Sequence, residues 1–448
     1  MIIPLGLGAM PLGELGAACG AYVPLSLAHR EITTLVTNSK EVKPGDLFCA
    51  LRGKDDGHLY ISEAAERGAV AVLAERDTGA HVAHIQVPSV RRALGDMAAK
   101  AAKKQGLLRI GVTGSVGKTT VKDAISATLS PFFSVHATYQ NHNNDLGLPF
   151  TILSAPKETR ICICEMGINH MGEMEPLSKI LCPHISVITC IGHAHIGAFG
   201  TREAIAQEKI DILSHAVDGG LLLVPAFEPL LAFVPPRGIR RQAILPFNDS
   251  DYEKYGLVPQ KNDIPRSFAL AYAAAVGAAL GLCEQQLGSG LSRVLSLTTR
   301  RKEEWVGAVR LIDDGYNASP ESMMAALIYL SEQGGGRRVC VLGDMLELGE
   351  ESVKYHHAIG RFAALHADLL FFFGEFAESY AAGAIAAGAK ELGKDGGDAP
   401  CFCILHGDKE ALGGAIAPLL TPQDTVLFKA SRACQVENIL SLIKNYIS

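Results

Sequence analysis

The sequence predicts an α/β protein of three domains, on three observations. Its 448 residues exceed what one hydrophobic core usually organises. Short apolar runs alternate with helical stretches through the last two thirds, the rhythm of parallel sheets covered by helices. A glycine-rich stretch, Gly111-Val-Thr-Gly-Ser-Val-Gly-Lys-Thr-Thr120, joins a strand-like run to a helical one.

The first segment, residues 1–106, has a mixed α/β pattern. Met1 to Val23 is apolar but carries Glu14 and lacks a positive start, so it reads as a first strand and helix, not a signal peptide. Val42 to Leu51 is a turn feeding a short strand, Ile61 to Arg67 a helix and Ala69 to Leu73 a strand. In the second segment, residues 107–298, Leu107 to Val112 is a buried strand and Val121 to Leu129 a helix. Ile161 to Cys164, Ile185 to Thr189 and Leu221 to Val224 are further strands of a parallel, P-loop ATPase-like sheet. In the third, residues 299–448, the strands are Arg338 to Leu342, Leu369 to Phe373, Phe402 to Leu405 and Thr425 to Phe428. Helical stretches intervene, which predicts a doubly wound, Rossmann-like sheet. Gly334 to Gly336 is a helix-to-strand turn, and residues 393–400 form an exposed loop.

Composition narrows the function. Apolar residues make up 48% and charged ones 20%, as in globular proteins. A net charge of -6 argues against coating nucleic acid, so an anionic substrate would be met by local Lys and Arg. No run reaches the roughly 18 apolar residues of a membrane span. The eleven cysteines form no disulfide framework. Cys162 and Cys164, like Cys401 and Cys403, are two apart on strands and share a face. They read as buried free thiols of a protein in a reducing cytoplasm, not as zinc ligands.

The glycine-rich turn carries the strongest chemical signal. Between strand and helix it aims backbone N–H groups at one point, where a phosphate can sit. Lys118 would reach the terminal phosphates and the Thr119 hydroxyl would hold Mg²⁺. A strict P-loop has glycine five positions before Gly117, where this chain has Val112; the bland reading is an ordinary turn.

Other strand ends add candidates. Glu165 follows a strand beside this loop and is placed to hold Mg²⁺, or else caps a helix. His193 and His195 lie in another edge loop, as structural residues or as phosphate or metal contacts. The cluster Asn141-His-Asn-Asn-Asp145 is a turn or reads a polar ligand. Asp313-Asp-Gly-Tyr-Asn-Ala-Ser-Pro320 holds a ribose and a base, or simply leads into the helix from Glu321. Arg300-Arg-Lys302 is a solvated run or reaches a nucleotide phosphate. Lys429-Ala-Ser-Arg432 binds a carboxylate or is a solvated strand end.

Together these stretches, with Glu165-Met-Gly-Ile-Asn-His170, Ala194-His195 and Leu342-Gly-Asp-Met-Leu-Glu-Leu-Gly349, resemble the Mur ligases, the ATP-dependent amide-forming enzymes of peptidoglycan synthesis. The likeness runs from about Thr37 to Glu437. The C-terminal stretches favour the branch that adds D-alanyl-D-alanine, and the Asp-Asn-Pro-Arg of the diaminopimelate-adding branch is absent. The family's own glycine variant of the P-loop accounts for Val112.

The resemblance implies a role for each matching residue. ATP would contact Thr113, Gly114, Ser115, Val116, Gly117, Lys118, Thr119 and Thr120 of the loop, with Asn141, Asp314 and Asn317. Thr119, Glu165 and His195 would hold Mg²⁺. Lys209, a helix-surface lysine by its sequence alone, matches the lysine that becomes carbamylated and binds a second Mg²⁺. Arg301, or else Arg300, would reach the terminal phosphate. Ser39, Arg52, Asp56 and His58 would form the platform for a UDP-linked substrate, and Lys429, Ser431 and Arg432 would bind the incoming dipeptide. Lys118, Lys209, His195 and Arg301 would be catalytic. The implied partners are UDP-N-acetylmuramoyl-tripeptide and D-alanyl-D-alanine, with ATP and Mg²⁺, no nucleic acid, and a monomer. The first segment would bind the UDP-substrate, the second ATP, and the third the dipeptide. The alternatives are another amide ligase of the same architecture (diaminopimelate-, glutamate- or folate-glutamate-adding) and a P-loop ATPase switch or binding module.

Overall fold

Three sheets, one in each third of the chain, carry the architecture. The computed structural model describes all residues except 233–237, 260–262, 298–300, 394–398 and 448. Arg300 and much of the loop expected at residues 393–400 therefore lie outside the described residues.

The first sheet contains β1 (Ile2–Pro4), β2 (Thr34–Val36), β3 (Leu47–Cys49), β4 (Ala71–Ala74) and β5 (Ala83–Gln86) in chain order, β1 antiparallel to β2 and the rest parallel. Helix α1 (Val90–Gln105) then leads to the second sheet. Ser89 caps its start by accepting from the Arg92 amide, and Gly106 ends it with a φ of 69°. The N-terminal segment is tied to the middle one at Gly6, where a Cβ would lie 2.0 Å from the Ala155 carbonyl oxygen. Only glycine permits that approach.

The second sheet is wholly parallel: β6 (Leu108–Thr113), β7 (Val135–Ala137), β8 (Ile161–Glu165), β9 (Ile185–Ile188), β10 (Leu221–Pro225) and β11 (Arg240–Ile244), in the order β11-β10-β9-β6-β8-β7. Helices α2 (Lys118–Leu129), α3 (Met174–Leu181), α4 (Arg202–Ile210) and α5 (Ile264–Ala279) belong to this segment. The central strands β6, β8, β9 and β10 are buried along almost their whole length and largely apolar, Arg109 in β6 excepted, whereas the edge strand β11 is mostly exposed. The chain leaves β6 and moves to β7 on one side and β9 on the other. The C-terminal ends of β6, β8 and β9 thus meet at a topological switch, where ligands bind in open α/β sheets.

The third sheet orders β12 (Lys302–Val306), β13 (Val309–Asp313), β14 (Arg338–Leu342), β15 (Leu369–Phe373), β16 (Lys390–Glu391), β17 (Cys401–Leu405) and β18 (Thr425–Lys429) as β12-β13-β18-β14-β15-β17-β16. Only β12 runs antiparallel to its neighbour. Helices α6 (Pro320–Ser331) and α7 (Ser352–His366) follow β13 and β14. No helix among the described residues is long and apolar enough to cross a membrane.

Three expectations shift. Helix α2 starts at Lys118, three residues before Val121, because Gly117 turns directly into it with a φ of 85°. Glu165 is the last residue of β8 rather than the first beyond it. Cys162 and Cys164 are buried with sulfurs 3.6 Å apart, but Cys401 and Cys403 are only half-buried. Their strand lies beside a two-residue edge strand, which leaves one flank thinly covered.

Candidate active site

The phosphate loop forms because β6 continues as far as Thr113. Val112 is fully buried and registers with Val187 on one side and Glu165 on the other. A glycine there would serve no turn, since the chain is still strand. The turn begins at Gly114, with a φ of 144°. A Cβ on Gly114 would sit 1.9 Å from the Thr189 hydroxyl oxygen, so the loop packs directly on the end of β9. Thr189 secures it by donating to the Val116 carbonyl at 2.5 Å. The Lys118 amine donates to the Gly114 carbonyl at 2.8 Å, curling over the loop. With Gly117 left-handed, α2 presents its first N–H groups to the same hollow.

Beside the loop, the Thr119 hydroxyl donates to Glu165 Oε2 at 2.6 Å. Glu165 Oε1 accepts from Asn143 Nδ2 at 2.9 Å. A hydroxyl and a carboxylate side by side next to a phosphate-binding turn form an oxygen donor set that suits Mg²⁺. No group of three or more His, Cys, Asp or Glu among the described residues could hold a metal ion. Asn143 had a sequence signal in the Asn141 to Asp145 cluster, but only Asn141 is assigned a role there.

Lys209 corrects its sequence reading as a helix-surface lysine. It lies in the last turn of α4 and is only 3% exposed. Burial, with Lys118 nearby, lowers its pKa to about 7. A 3.6-residue period places a lysine on a face but cannot say that the surrounding fold covers that face. His195, with a left-handed φ of 64°, joins Glu347 of the third segment through Nδ1 at 2.6 Å. Burial first, then Lys118 and Lys209, pull its pKa down, while Glu347 pulls it up.

The third segment closes over this hollow. The Arg301 guanidinium stacks 3.4 Å from the Tyr329 ring centre and its Nη2 lies 3.2 Å from Asp263 Oδ2, at the start of α5. Lys429, at the end of β18 and nearly fully buried, donates to Asp314 Oδ2 at 2.9 Å and to the Asn317 carbonyl at 3.1 Å. A cavity of about 250 Å³ is lined by Lys118, Thr119, Glu165, Arg301, Asp314 and Lys429. A larger one of about 1080 Å³ adjoins it, lined by Asn141, His195, Asn317, Ser431 and Arg432 among others. Ser431 Oγ accepts from the Leu346 amide at 2.9 Å, and Arg432 pairs with Glu437 at 2.9 Å. Most residues expected to hold nucleotide and dipeptide thus line these two adjoining hollows, but Thr113, fully buried, and Gly114 line neither.

The four residues expected to form the UDP platform lie in the first segment. Asp56 Oδ1 accepts from His58 Nδ1 at 2.6 Å and from its backbone amide at 3.0 Å, while Oδ2 accepts from Arg76 at 2.7 Å. The His58 bonds first, and then Arg76, hold the Asp56 carboxyl well below the usual range. His58 Nε2 accepts from the Glu75 amide at 2.9 Å, so its proton sits on Nδ1. Arg52 joins the network through Glu75 at 2.9 Å. Ser39 is buried and donates to Glu63 at 2.6 Å.

Comparison with known proteins completes the picture. Family models described as Mur ligase family, catalytic domain; Mur ligase middle domain; and Mur ligase, glutamate ligase domain match residues 31–102, 112–242 and 300–432. The chain is similar to the UDP-N-acetylmuramoyl-tripeptide–D-alanyl-D-alanine ligase of Synechocystis, 35% identical over 92% of this chain and 91% of that one. The Bacillus subtilis protein of the same name is 33% identical over 92% and 94%. Among solved structures, MurF from Acinetobacter baumannii aligns at a TM-score of 0.84 and 27% identity, covering 98% of this chain and 100% of that one. MurF from Thermotoga maritima in complex with ADP aligns at 0.78 and 28%, covering 92% and 97%. With three sheets in this order, a phosphate loop at the central switch point and relatives matched along nearly their whole length, the chain belongs to the Mur ligase family.

Proposed function

We propose that this chain joins D-alanyl-D-alanine to UDP-N-acetylmuramoyl-tripeptide with ATP, in making a peptidoglycan precursor. The supporting observation is the pairing of a phosphate hollow that holds Lys118, Thr119, Glu165 and Arg301 with an adjoining cleft that holds Ser431 and Arg432. The near full-length relatives carry that activity in their names. We assign residues 1–106 to the UDP-substrate, 107–298 to ATP and 299–448 to the dipeptide. The enzyme acts in the cytoplasm as a monomer.

The chemistry is activation of a carboxylate. The tripeptide's terminal carboxylate oxygen attacks the γ-phosphorus of ATP. The P–O bond to ADP breaks, and an acyl phosphate forms. The amine of the dipeptide then attacks the acyl carbon, loses a proton, and phosphate leaves with the C–O bond electrons. A carboxylate and a triphosphate repel, so the site must neutralise both. The Lys118 ammonium and the loop N–H groups would bind the β- and γ-phosphates, and the Arg301 guanidinium would approach the γ-phosphate from the third segment. Thr119 and Glu165 would hold Mg²⁺, which supplies charge neutralisation on the phosphate oxygens. His195 and a carbamylated Lys209 would hold a second. A lysine of pKa about 7 has a substantial neutral fraction at neutral pH. Its amine can therefore add to CO₂, which an ammonium cannot. Asp314, Asn317 and Asn141 would contact the nucleoside, and Lys429, which also bonds Asp314, would meet the dipeptide carboxylate with Ser431 and Arg432. Ser39, Arg52, Asp56 and His58 would seat the UDP-substrate. Closure of the third segment excludes water and protects the acyl phosphate.

The test is phosphate release with UDP-N-acetylmuramoyl-tripeptide, with and without D-alanyl-D-alanine. Release that needs both substrates, with the pentapeptide product seen by mass spectrometry, supports the reading. Release with neither substrate would point to an ATPase switch. Release with diaminopimelate or glutamate on a shorter acceptor would point to another ligase of this architecture.

A further inference from the structure

A second cleft, of about 890 Å³, lies between α1 and α3, with Arg109 among its lining residues. Arg109 is the second residue of β6, whereas the phosphate loop follows the last. At about 3.3 Å per strand residue, the start of β6 is well over 10 Å from the loop. The two helices approach closely because of Gly95, where a Cβ would meet Ile180 at 2.8 Å.

The charges in this cleft run against the overall charge of -6. Lys100 and Lys103 lie three apart on α1 and share a face. With Arg92, and with Lys179 from α3, they line the cleft, and none of the four has an ion-pair partner among the described residues. Six cationic side chains line the cleft against three carboxylates, of which Asp145 is paired with Arg91 at 3.0 Å and Glu175 is hydrogen-bonded to His215 at 2.5 Å. Arg109 is the decisive group. It is only 9% exposed and its Nε donates to the Cys182 carbonyl at 3.1 Å, yet no carboxylate pairs with it among the described residues. A guanidinium that is mostly buried, open to water only at the cleft and without a counter-charge, carries a desolvation cost. An anion in the cleft would relieve that cost. The cationic face from Arg92 to Lys103 extends about 16 Å at 1.5 Å per residue, longer than a single phosphate needs.

We propose that this cleft is a second anion site, separate from the phosphate loop, that takes an extended anion bearing phosphate groups. The source is a free polyphosphate-type molecule or the headgroups of an anionic lipid surface. Both are tested on the full chain and on a Lys100→Glu/Lys103→Glu variant, whose exposed positions keep the fold intact, as a thermal melt would verify. Calorimetry with inorganic tripolyphosphate in Mg²⁺-free buffer, with saturating ADP present, probes the first. Co-sedimentation with phosphatidylglycerol against phosphatidylcholine vesicles probes the second. Binding by the native chain in either experiment, weakened at least tenfold in the variant while ligase turnover is unchanged, establishes the site, and the responding probe identifies the source. Equal binding by both proteins, binding to neither probe, or displacement of the probe by ADP or by UDP-N-acetylmuramoyl-tripeptide would overturn the proposal.

Discussion

Glu321, the second residue of α6, uses one carboxylate oxygen to hold both the backbone amide of His193, at 2.9 Å, and its ring Nδ1, at 2.5 Å. The two residues are 128 apart in sequence and link the third segment to the loop after β9. Space for the carboxylate exists only because residue 192 is glycine, where a Cβ would lie 2.6 Å from the Glu321 carboxyl carbon. The Tyr355 ring packs on His193 at 4.7 Å, and two residues further on Glu347 holds His195. These contacts seat the third segment on the nucleotide hollow.

Removing that link should weaken closure without dismantling either domain. Glu321→Ala is expected to raise the KM for ATP and lower kcat together, by about tenfold in kcat/KM. That corresponds to the ~1.4 kcal/mol of one charge-assisted hydrogen bond. The melting temperature should move little, and Glu321→Gln should recover part of the loss. Steady-state kinetics of the two variants decide it, and unchanged kcat/KM in Glu321→Ala would show that the link is incidental.

At the phosphate loop, Lys118→Ala should abolish ATP-dependent ligation while the UDP-substrate still binds, because the two sites lie on different sheets. Calorimetry with the UDP-substrate, run beside a phosphate-release assay, separates the effects. Normal turnover would remove Lys118 from the mechanism.

Gly114→Ala tests the loop's geometry rather than its charge. The added methyl meets the Thr189 hydroxyl oxygen at 1.9 Å, at a φ of 144° that alanine rarely adopts. Nucleotide affinity should fall more than tenfold, and Thr189→Ala, which relieves only the clash, should not restore it fully. Nucleotide binding by the single and double variants is the measurement.

Lys209 gives a pH dependence. Its pKa is lowered to about 7 from the unfolded-state value near 10.4, so between these values the unfolded chain binds more protons at this site than the folded one. Uncarbamylated protein should therefore gain stability from Lys209 as pH rises through that window. Carbamylation needs the neutral amine, so activity in bicarbonate-depleted buffer should fall as pH drops below about 7 and return with added bicarbonate. Lys209→Ala should be inactive and partly rescued by short carboxylic acids. Full activity of that variant without any additive would exclude the role.

The sequence by itself determined the three-part α/β plan, the phosphate loop and the family. Each rests on local order: apolar runs of strand length, glycines at a strand-to-helix turn, and motifs read within about ten residues. It also named Glu165 and Thr119 as Mg²⁺ ligands, because one follows a strand beside the turn and the other carries the hydroxyl directly after the loop lysine. Tertiary structure alone decided that Lys209 is buried, that Lys429 is tied to Asp314, and that Glu321 and Glu347 reach across to His193 and His195. The physical reason is common to all four. Solvation and long-range pairing depend on what another segment places opposite a residue, and neither periodicity nor spacing contains that partner. Arg109 is the clearest case: the sequence places it within a buried strand, but only the fold sets it beside a groove of lysines without ion-pair partners among the described residues.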